Sequence, residues 1–81
     1  MEKTSVSVKI YNDSYILRTE ASEEEVRAIA QLVDDKMQLL AEKKQHQNTE
    51  KIAVWAALDL AAELYKLRRD YARLLKAAKE R

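Results

Sequence analysis

The feature that most constrains this chain is the run from Thr49 to Arg81, which contains no glycine or proline to interrupt a helix. At 1.5 Å per residue, a helix over this run would be about 50 Å long. The roughly 50 residues before it would form a globule only about 25 Å across. We therefore predict that the distal half of this helix projects from the rest of the chain.

The apolar pattern of this helix changes near its middle. Residues 52–62 are apolar on nearly all sides, which predicts burial against several neighbours, and Trp55 is expected in the core or at a subunit interface. The later apolar residues step by four and three, which is the heptad spacing of a coiled coil. This seam consists of Leu60, Leu64, Leu67, Tyr71, Leu74 and Ala78. Glu63 and Arg68 fall at g and e positions, where a parallel dimer could pair them between chains.

The N-terminal residues alternate as a half-buried strand does, with Val6, Val8 and Ile10 on one face. Apolar alternation resumes at Tyr15, and asparagine and aspartate tolerate turn conformations well. We predict a β-hairpin with Asn12-Asp13 as its loop. In that register, Ile10 faces Tyr15 and Val8 faces Leu17. Because a lone two-stranded hairpin is unstable in water, its apolar face must be covered.

A capping box begins the next segment, where the Ser22 hydroxyl can bond the backbone N–H of Glu25. Apolar residues at helical spacing then predict an amphipathic helix that ends near Lys44. They are Val26, Ile29, Ala30, Val33, Met37, Leu40 and Ala41, with Leu32 and Leu39 widening the face. A short connection over residues 45–48 follows, after which Asn48 or Thr49 can cap the long helix.

Together these elements predict an α+β fold that is mostly α: an N-terminal β-hairpin, one amphipathic helix and one long C-terminal helix forming a coiled coil. Residues 1–48 are expected to form a head. Residues 49–81 are expected to form the long helix, with its proximal part packed in the head and dimer core and its distal part a coiled-coil stalk.

The composition argues against reaction chemistry. The sequence has no cysteine, no glycine and one histidine, His46, so thiolate sites and phosphate-cradling loops are excluded and a histidine-based metal site is not expected. The neighbouring acids Asp34 and Asp35 point about 100° apart on a helix and cannot converge on one ligand. We therefore expect no enzyme activity, no catalytic or cofactor-binding residue and no metal.

Charge and hydropathy also limit the partners. Residues 1–50 hold seven basic and ten acidic side chains, residues 51–81 hold eight and four, and the formal net charge is +1. Nucleic-acid binding is not expected from so small a charge. No apolar run approaches the roughly 20 residues that span a bilayer, so we expect no membrane insertion and a cytoplasmic protein.

The small size of the chain predicts self-association. A core of this size rarely supplies more than about 3–5 kcal/mol without a disulfide, a metal or a partner. Burying each seam side chain would contribute roughly 1.5–3 kcal/mol. We predict an obligate homo-oligomer whose interface comprises Trp55 and the seam.

The order of elements, and the residues within them, resemble the ZapA family of bacterial division proteins associated with the FtsZ ring. The resemblance covers about Ser5 to Tyr71 and rests on residues 8–11 and 15–18 of the hairpin, 32–37 of the first helix and 52–61 of the second. The family usually has glycine at the position of Asn12 and asparagine at that of Asp59. The resemblance implies a dimer through the second helices and a tetramer through the stalks. It also implies bridging of FtsZ protofilaments at the mid-cell division ring.

An acidic FtsZ, as the resemblance implies, would meet exposed basic residues of the head. The candidate partner-binding residues are Lys9, Arg18, Lys43, Lys44 and Lys51, together with Tyr11, which alternates with the inward Ile10 and is therefore expected at the surface. A generic coiled-coil scaffold module with an unrelated protein partner remains the alternative at this point.

Overall fold

The computed structural model of the chain describes residues 3–43 and 48–80. It contains two strands and two helices: β1 (Thr4–Ile10), β2 (Asp13–Thr19), α1 (Glu23–Lys43) and α2 (Thr49–Lys79). The predicted hairpin, amphipathic helix and long helix are confirmed, and the division into a head (residues 1–48) and a long helix stays a prediction. Residues 45–47 of the predicted connection, which include His46, lie outside the described residues. The candidate residue Lys44 also lies outside them.

The hairpin turn lies one residue earlier than predicted. Its two loop residues are Tyr11 and Asn12, which both have positive φ angles, 48° and 70°. This is the twist that two-residue hairpin loops require. Ile10 therefore pairs with Asp13 and Val8 with Tyr15, so the predicted register was wrong by two residues. Because the shift is even, each side chain keeps the predicted face of the sheet.

A contact from α1 explains why the turn forms at Tyr11. The Tyr11 backbone N–H donates to Asp34 Oδ1 at 2.7 Å in a partly buried position. Positive φ is unfavourable for a bulky residue such as tyrosine, and a charge-assisted hydrogen bond offsets that cost. The turn is therefore positioned by a helix residue that is distant in the sequence.

Side-chain caps begin both helices, as predicted. The Ser22 Oγ accepts the Glu25 N–H at 3.1 Å, and the Asn48 Oδ1 accepts the Lys51 N–H at 2.9 Å. Each bond satisfies one of the N–H groups that a helix leaves unpaired in its first turn. The two helix starts are thus fixed by residues adjacent in the sequence.

The core consists of two small clusters that share one residue. Val6 and Val8 of β1 pack on Val26 and Ala30 of α1. The second cluster joins the helices, with Met37 and Leu40 of α1 against Ile52 and Ala56 of α2. Ile10 packs against both clusters, so β1, α1 and the start of α2 share one continuous core.

The chain is elongated and exposes more surface than a folded monomer of its mass. Its radius of gyration is 16.4 Å, against about 12 Å for a compact chain of this length. Its accessible surface is 7034 Å², about 2,000 Å² more than the ~5,000 Å² expected for a compact monomer of 9.4 kDa. The excess arises because α1 covers only the proximal part of α2, and every described residue beyond Leu60 is exposed.

Replacing Asp34 tests the tie between α1 and the turn. We expect Asp34→Ala to lower the free energy of unfolding by ~1.5–3 kcal/mol, because it leaves the Tyr11 N–H without its charged acceptor. The measurement is urea unfolding at one fixed protein concentration.

Asp35→Ala is the matched control, since among the described residues Asp35 accepts only an exposed bond from Gln31. Its effect should stay within about 0.5 kcal/mol. Equal destabilisation by both variants would contradict the assigned role of Asp34.

Candidate functional site

An exposed apolar surface follows the predicted seam along distal α2. Leu64 is 48% exposed, and Leu67, Tyr71 and Leu74 are each about two-thirds exposed. Ala78 is also exposed. Heptad spacing places these side chains on one side of the helix. The contribution of these residues to an interface between chains stays a prediction.

A second apolar surface lies on α1 and continues onto α2. Leu32 and Leu39 line a groove between the two helices together with Leu60, which is half-buried. The groove has a volume of about 200 Å³. Ile29, which the helical spacing places on the apolar face of α1, is also exposed in the single chain. Its neighbour Ala30 packs against β1, and consecutive residues point about 100° apart on a helix.

One ion pair crosses this groove. Lys36 Nζ on α1 donates to Glu63 Oε2 on α2 at 2.7 Å, and only 21% of the Lys36 side chain is exposed. This hydrogen bond raises the pKa of Lys36 above its ordinary value of 10.5; partial burial opposes the increase, and the charges of Glu63 and Asp59 add to it. In the single chain Glu63 therefore pairs with Lys36, and its pairing with Arg68 of another chain stays a prediction.

Proximal α2 exposes a third apolar surface. Val54 and Leu58 are more than half exposed, and Trp55 is 42% exposed. They line an open cavity of about 320 Å³ beside Lys51 and the Asn48 cap. The segment predicted to be buried on most sides is thus covered by α1 on one side, while Val54, Trp55 and Leu58 keep about half of their surface exposed.

The basic residues predicted to bind a partner fall into two groups. Lys9 and Arg18 lie on the exposed face of the hairpin, opposite Ser14 and Ser5 respectively. Lys43 ends α1 and Lys51 lies in the first turn of α2, so both flank the connection between the helices.

Tyr11 differs from its expected place. It is half-buried and packs against the cluster that joins the helices, whereas the alternation predicted a surface side chain. The difference follows from its position in the turn, where strand alternation no longer applies.

Two further observations concern other kinds of site. Within residues 3–43 and 48–80, no group of three or more His, Cys, Asp or Glu side chains is placed to hold a metal ion. In the same part of the chain, no helix has the length and hydropathy needed to cross a membrane.

Comparison with known proteins gives consistent results. Residues 6–81 match the family model described as cell division protein ZapA. The protein of that name from Geobacillus kaustophilus (strain HTA426) is 38% identical over 78 residues, which cover 96% of this chain and 86% of the relative. The one from Geobacillus thermodenitrificans (strain NG80-2) is 40% identical over 72 residues, covering 89% and 79%. A solved structure, the ZapA mutant dimer from Geobacillus stearothermophilus, has a TM-score of 0.78 and 38% identity, covering 98% of this chain and 92% of that one.

The pair formed by Lys36 and Glu63 should give a stability contribution that disappears in strong alkali. A lysine whose pKa is raised on folding stabilises the folded state fully below its unfolded pKa, and the contribution is lost as the pH rises through the folded pKa. Glu63→Gln should therefore lower the unfolding midpoint at neutral pH, and the difference from the parent should shrink above pH 10.5. Thermal unfolding between pH 7 and pH 12 measures it.

Glu42→Gln is the control, because Glu42 is exposed and has no ion pair within the described residues. A difference between Glu63→Gln and the parent that persists unchanged at the highest pH would contradict the assignment.

The seam is tested by Leu67→Glu. If Leu67 is buried between chains, each copy of the variant places an unpaired carboxylate there at a cost of several kcal/mol. Sedimentation velocity across a concentration series should then show smaller species than the parent at every concentration.

Ala72→Glu adds the same charge on the same exposed helix but at heptad position b, away from the seam. It should sediment as the parent does. A Leu67→Glu variant that also sediments as the parent would remove Leu67 from the interface.

Proposed function

The chain belongs to the ZapA family of cell division proteins, and on this premise we propose that it binds FtsZ and crosslinks FtsZ protofilaments. The observation that carries the proposal is the long exposed seam of α2 in a chain that matches the family over nearly its whole length. This seam provides a means of joining several heads into one particle. The proposed role requires no reaction chemistry, so no catalytic residue, cofactor or metal is assigned.

In the proposed particle, two copies pair along α2. The heptad seam continues backward through Ala57 and Ala53, both exposed on proximal α2. Small residues allow two helix backbones to approach closely, while Leu64, Leu67 and Tyr71 fill the seam farther along. The similarity to a dimeric ZapA structure supports self-association. Pairing of the distal stalks of two dimers would then give a tetramer with heads at both ends.

Crosslinking follows from the number of heads on one stiff particle. When one head binds a filament, a second head is held near a neighbouring filament at an effective concentration that reaches the millimolar range for short tethers. Weak contacts by single heads then suffice to align and bundle filaments. This mechanism supports the stability of the division ring at mid-cell, where we propose that the protein acts in the cytoplasm.

The contact surface that we propose on each head includes the exposed face of the hairpin. Lys9 and Arg18 project from that face, and its other outward residues are Ser5, Ser7, Ser14 and Ile16, none of them acidic. An acidic partner would meet complementary charge there. Lys43 and Lys51 beside the connection and Tyr11 in the turn remain candidates, and Lys44 remains a candidate from the sequence alone.

Co-sedimentation and light scattering with FtsZ filaments test this function. The parent should pellet with filaments and raise their scattering, because it presents several heads. Leu67→Glu should still bind filaments but bundle them less, since it reduces the number of heads in each particle, and Ala72→Glu should act as the parent.

The contrary outcome is also informative. A parent protein that assembles fully but neither pellets with FtsZ nor changes its scattering would refute the proposal. That result would favour the alternative of a coiled-coil scaffold with an unrelated partner.

A further inference from the structure

The two edges of the hairpin are not equivalent. In an antiparallel pair closed by a two-residue loop, the residues next to the loop exchange hydrogen bonds, and alternate residues turn their backbone N–H and C=O outward. Ile10 pairs with Asp13, so the outward residues are Ser5, Ser7 and Lys9 on β1, and Ser14, Ile16 and Arg18 on β2. Each set forms one edge of the sheet.

A side chain of α1 covers part of the β1 edge. The Arg27 guanidinium is held by Glu23, because Arg27 Nη2 donates to Glu23 Oε1 at 2.8 Å. Arg27 Nη1 donates to the outward carbonyl oxygen of Ser7 at 3.3 Å. The same helix packs on β1 through Val26 and Ala30. A new strand approaching this edge would have to displace Arg27.

The β2 edge is open. Within the part of the chain that the structure describes, no hydrogen bond reaches the outward groups of Ser14, Ile16 and Arg18. Ile16 at its centre is 77% exposed, and Tyr15 and Leu17 beside it are 46% and 36% exposed on the other face. A free edge with apolar side chains on both faces is a template for another strand.

We propose that the β2 edge binds an extended acidic segment of a protein partner by strand addition. Strand addition takes its affinity from main-chain hydrogen bonds and its specificity from alternate side chains. On the exposed face, an added antiparallel strand would place three of its side chains opposite Arg18, Ile16 and Ser14 of β2. Lys9 of β1 is paired with Ser14, so it lies close to the third of these side chains. This geometry fits the pattern acidic, any residue, apolar, any residue, acidic.

The charges favour this occupant over β2 of a second copy. Two β2 strands paired antiparallel about Ile16 would place each Arg18 opposite Ser14 of the other copy, one strand away from Lys9. The exposed face would then gather basic side chains with no carboxylate among them, and like charges in neighbouring positions disfavour pairing. An acidic segment would instead place carboxylates near Arg18 on one side of Ile16 and near Lys9, opposite Ser14, on the other.

The inference deepens the proposed function, on which it rests, by specifying how a head would hold a filament protein. Ile16→Pro removes the outward N–H at the centre of the edge without breaking the hairpin ladder, a position that tolerates proline. It should weaken co-sedimentation with FtsZ by about tenfold or more. Ser5→Pro makes the same change on the β1 edge and should stay within about twofold.

Two additional variants separate the contributions of backbone and charge. Ile16→Thr keeps the N–H and a β-branched side chain, so it should bind better than Ile16→Pro. Arg18→Glu should weaken binding because it reverses the charge that the acidic segment meets. Circular dichroism and sedimentation of each variant check that fold and assembly match the parent.

A peptide assay without FtsZ separates this inference from the proposed function. The probes are capped peptides with the central sequences Glu-Val-Ile-Val-Glu and Lys-Val-Ile-Val-Lys, titrated into the isotope-labelled full chain. The acidic peptide should slow the hydrogen exchange of the amides of Ser14, Ile16 and Arg18, and it should bind about tenfold more tightly than the basic peptide.

Each contrary result is decisive. Equal binding of both peptides, or exchange at the β2 edge unchanged by the acidic one, would overturn the inference even if FtsZ binds elsewhere. Loss of higher assembly in Ile16→Pro but not in Ser5→Pro would overturn it in favour of a second copy at this edge. A parent that takes up the acidic peptide at β2 but ignores FtsZ would refute only the proposed function.

Discussion

The packing of Ile52 and Ala56 of α2 against Met37 and Leu40 of α1 determines where the other surfaces of the chain lie. Farther along, Lys36 of α1 meets Glu63 of α2, so the two helices run antiparallel. Because α1 and α2 pack through these residues, three exposed surfaces lie outside the core. They are the seam, the surface around Trp55 and the exposed apolar residues of α1. The position of the exposed apolar surface therefore follows from the way the two helices pack.

The lengths of the two helices lead to the same conclusion. α1 has 21 residues and gives its first turns to β1, while α2 has 31 residues, so α1 covers only the proximal part of α2. The resulting excess of about 2,000 Å² per chain exceeds the ~800 Å² per partner of a standard interface. In the proposed particle, this surface is large enough to form the interface between copies. The proposed crosslinking would then depend on how many heads the shared stalk holds.

Polar residues of α1 orient the hairpin that this assembly would present. Asp34 fixes the turn through the Tyr11 N–H, and Arg27 covers the β1 edge at Ser7. Each bond acts at a point where the backbone has few other partners. Together they leave the β2 edge and the basic face with Lys9 and Arg18 directed outward.

The sequence by itself determined the features that depend on near neighbours. The caps at Ser22 and Asn48, the heptad spacing of Leu64, Leu67 and Tyr71, and the alternation of Val6 and Val8 each follow from residues a few positions apart. Only the tertiary structure decided the turn at Tyr11, the exposure of Ile29, the engagement of Glu63 by Lys36 and the asymmetry of the two sheet edges. These depend on which face of α1 meets β1 and α2, and that choice is made by side chains that are distant in the chain and come together only on folding.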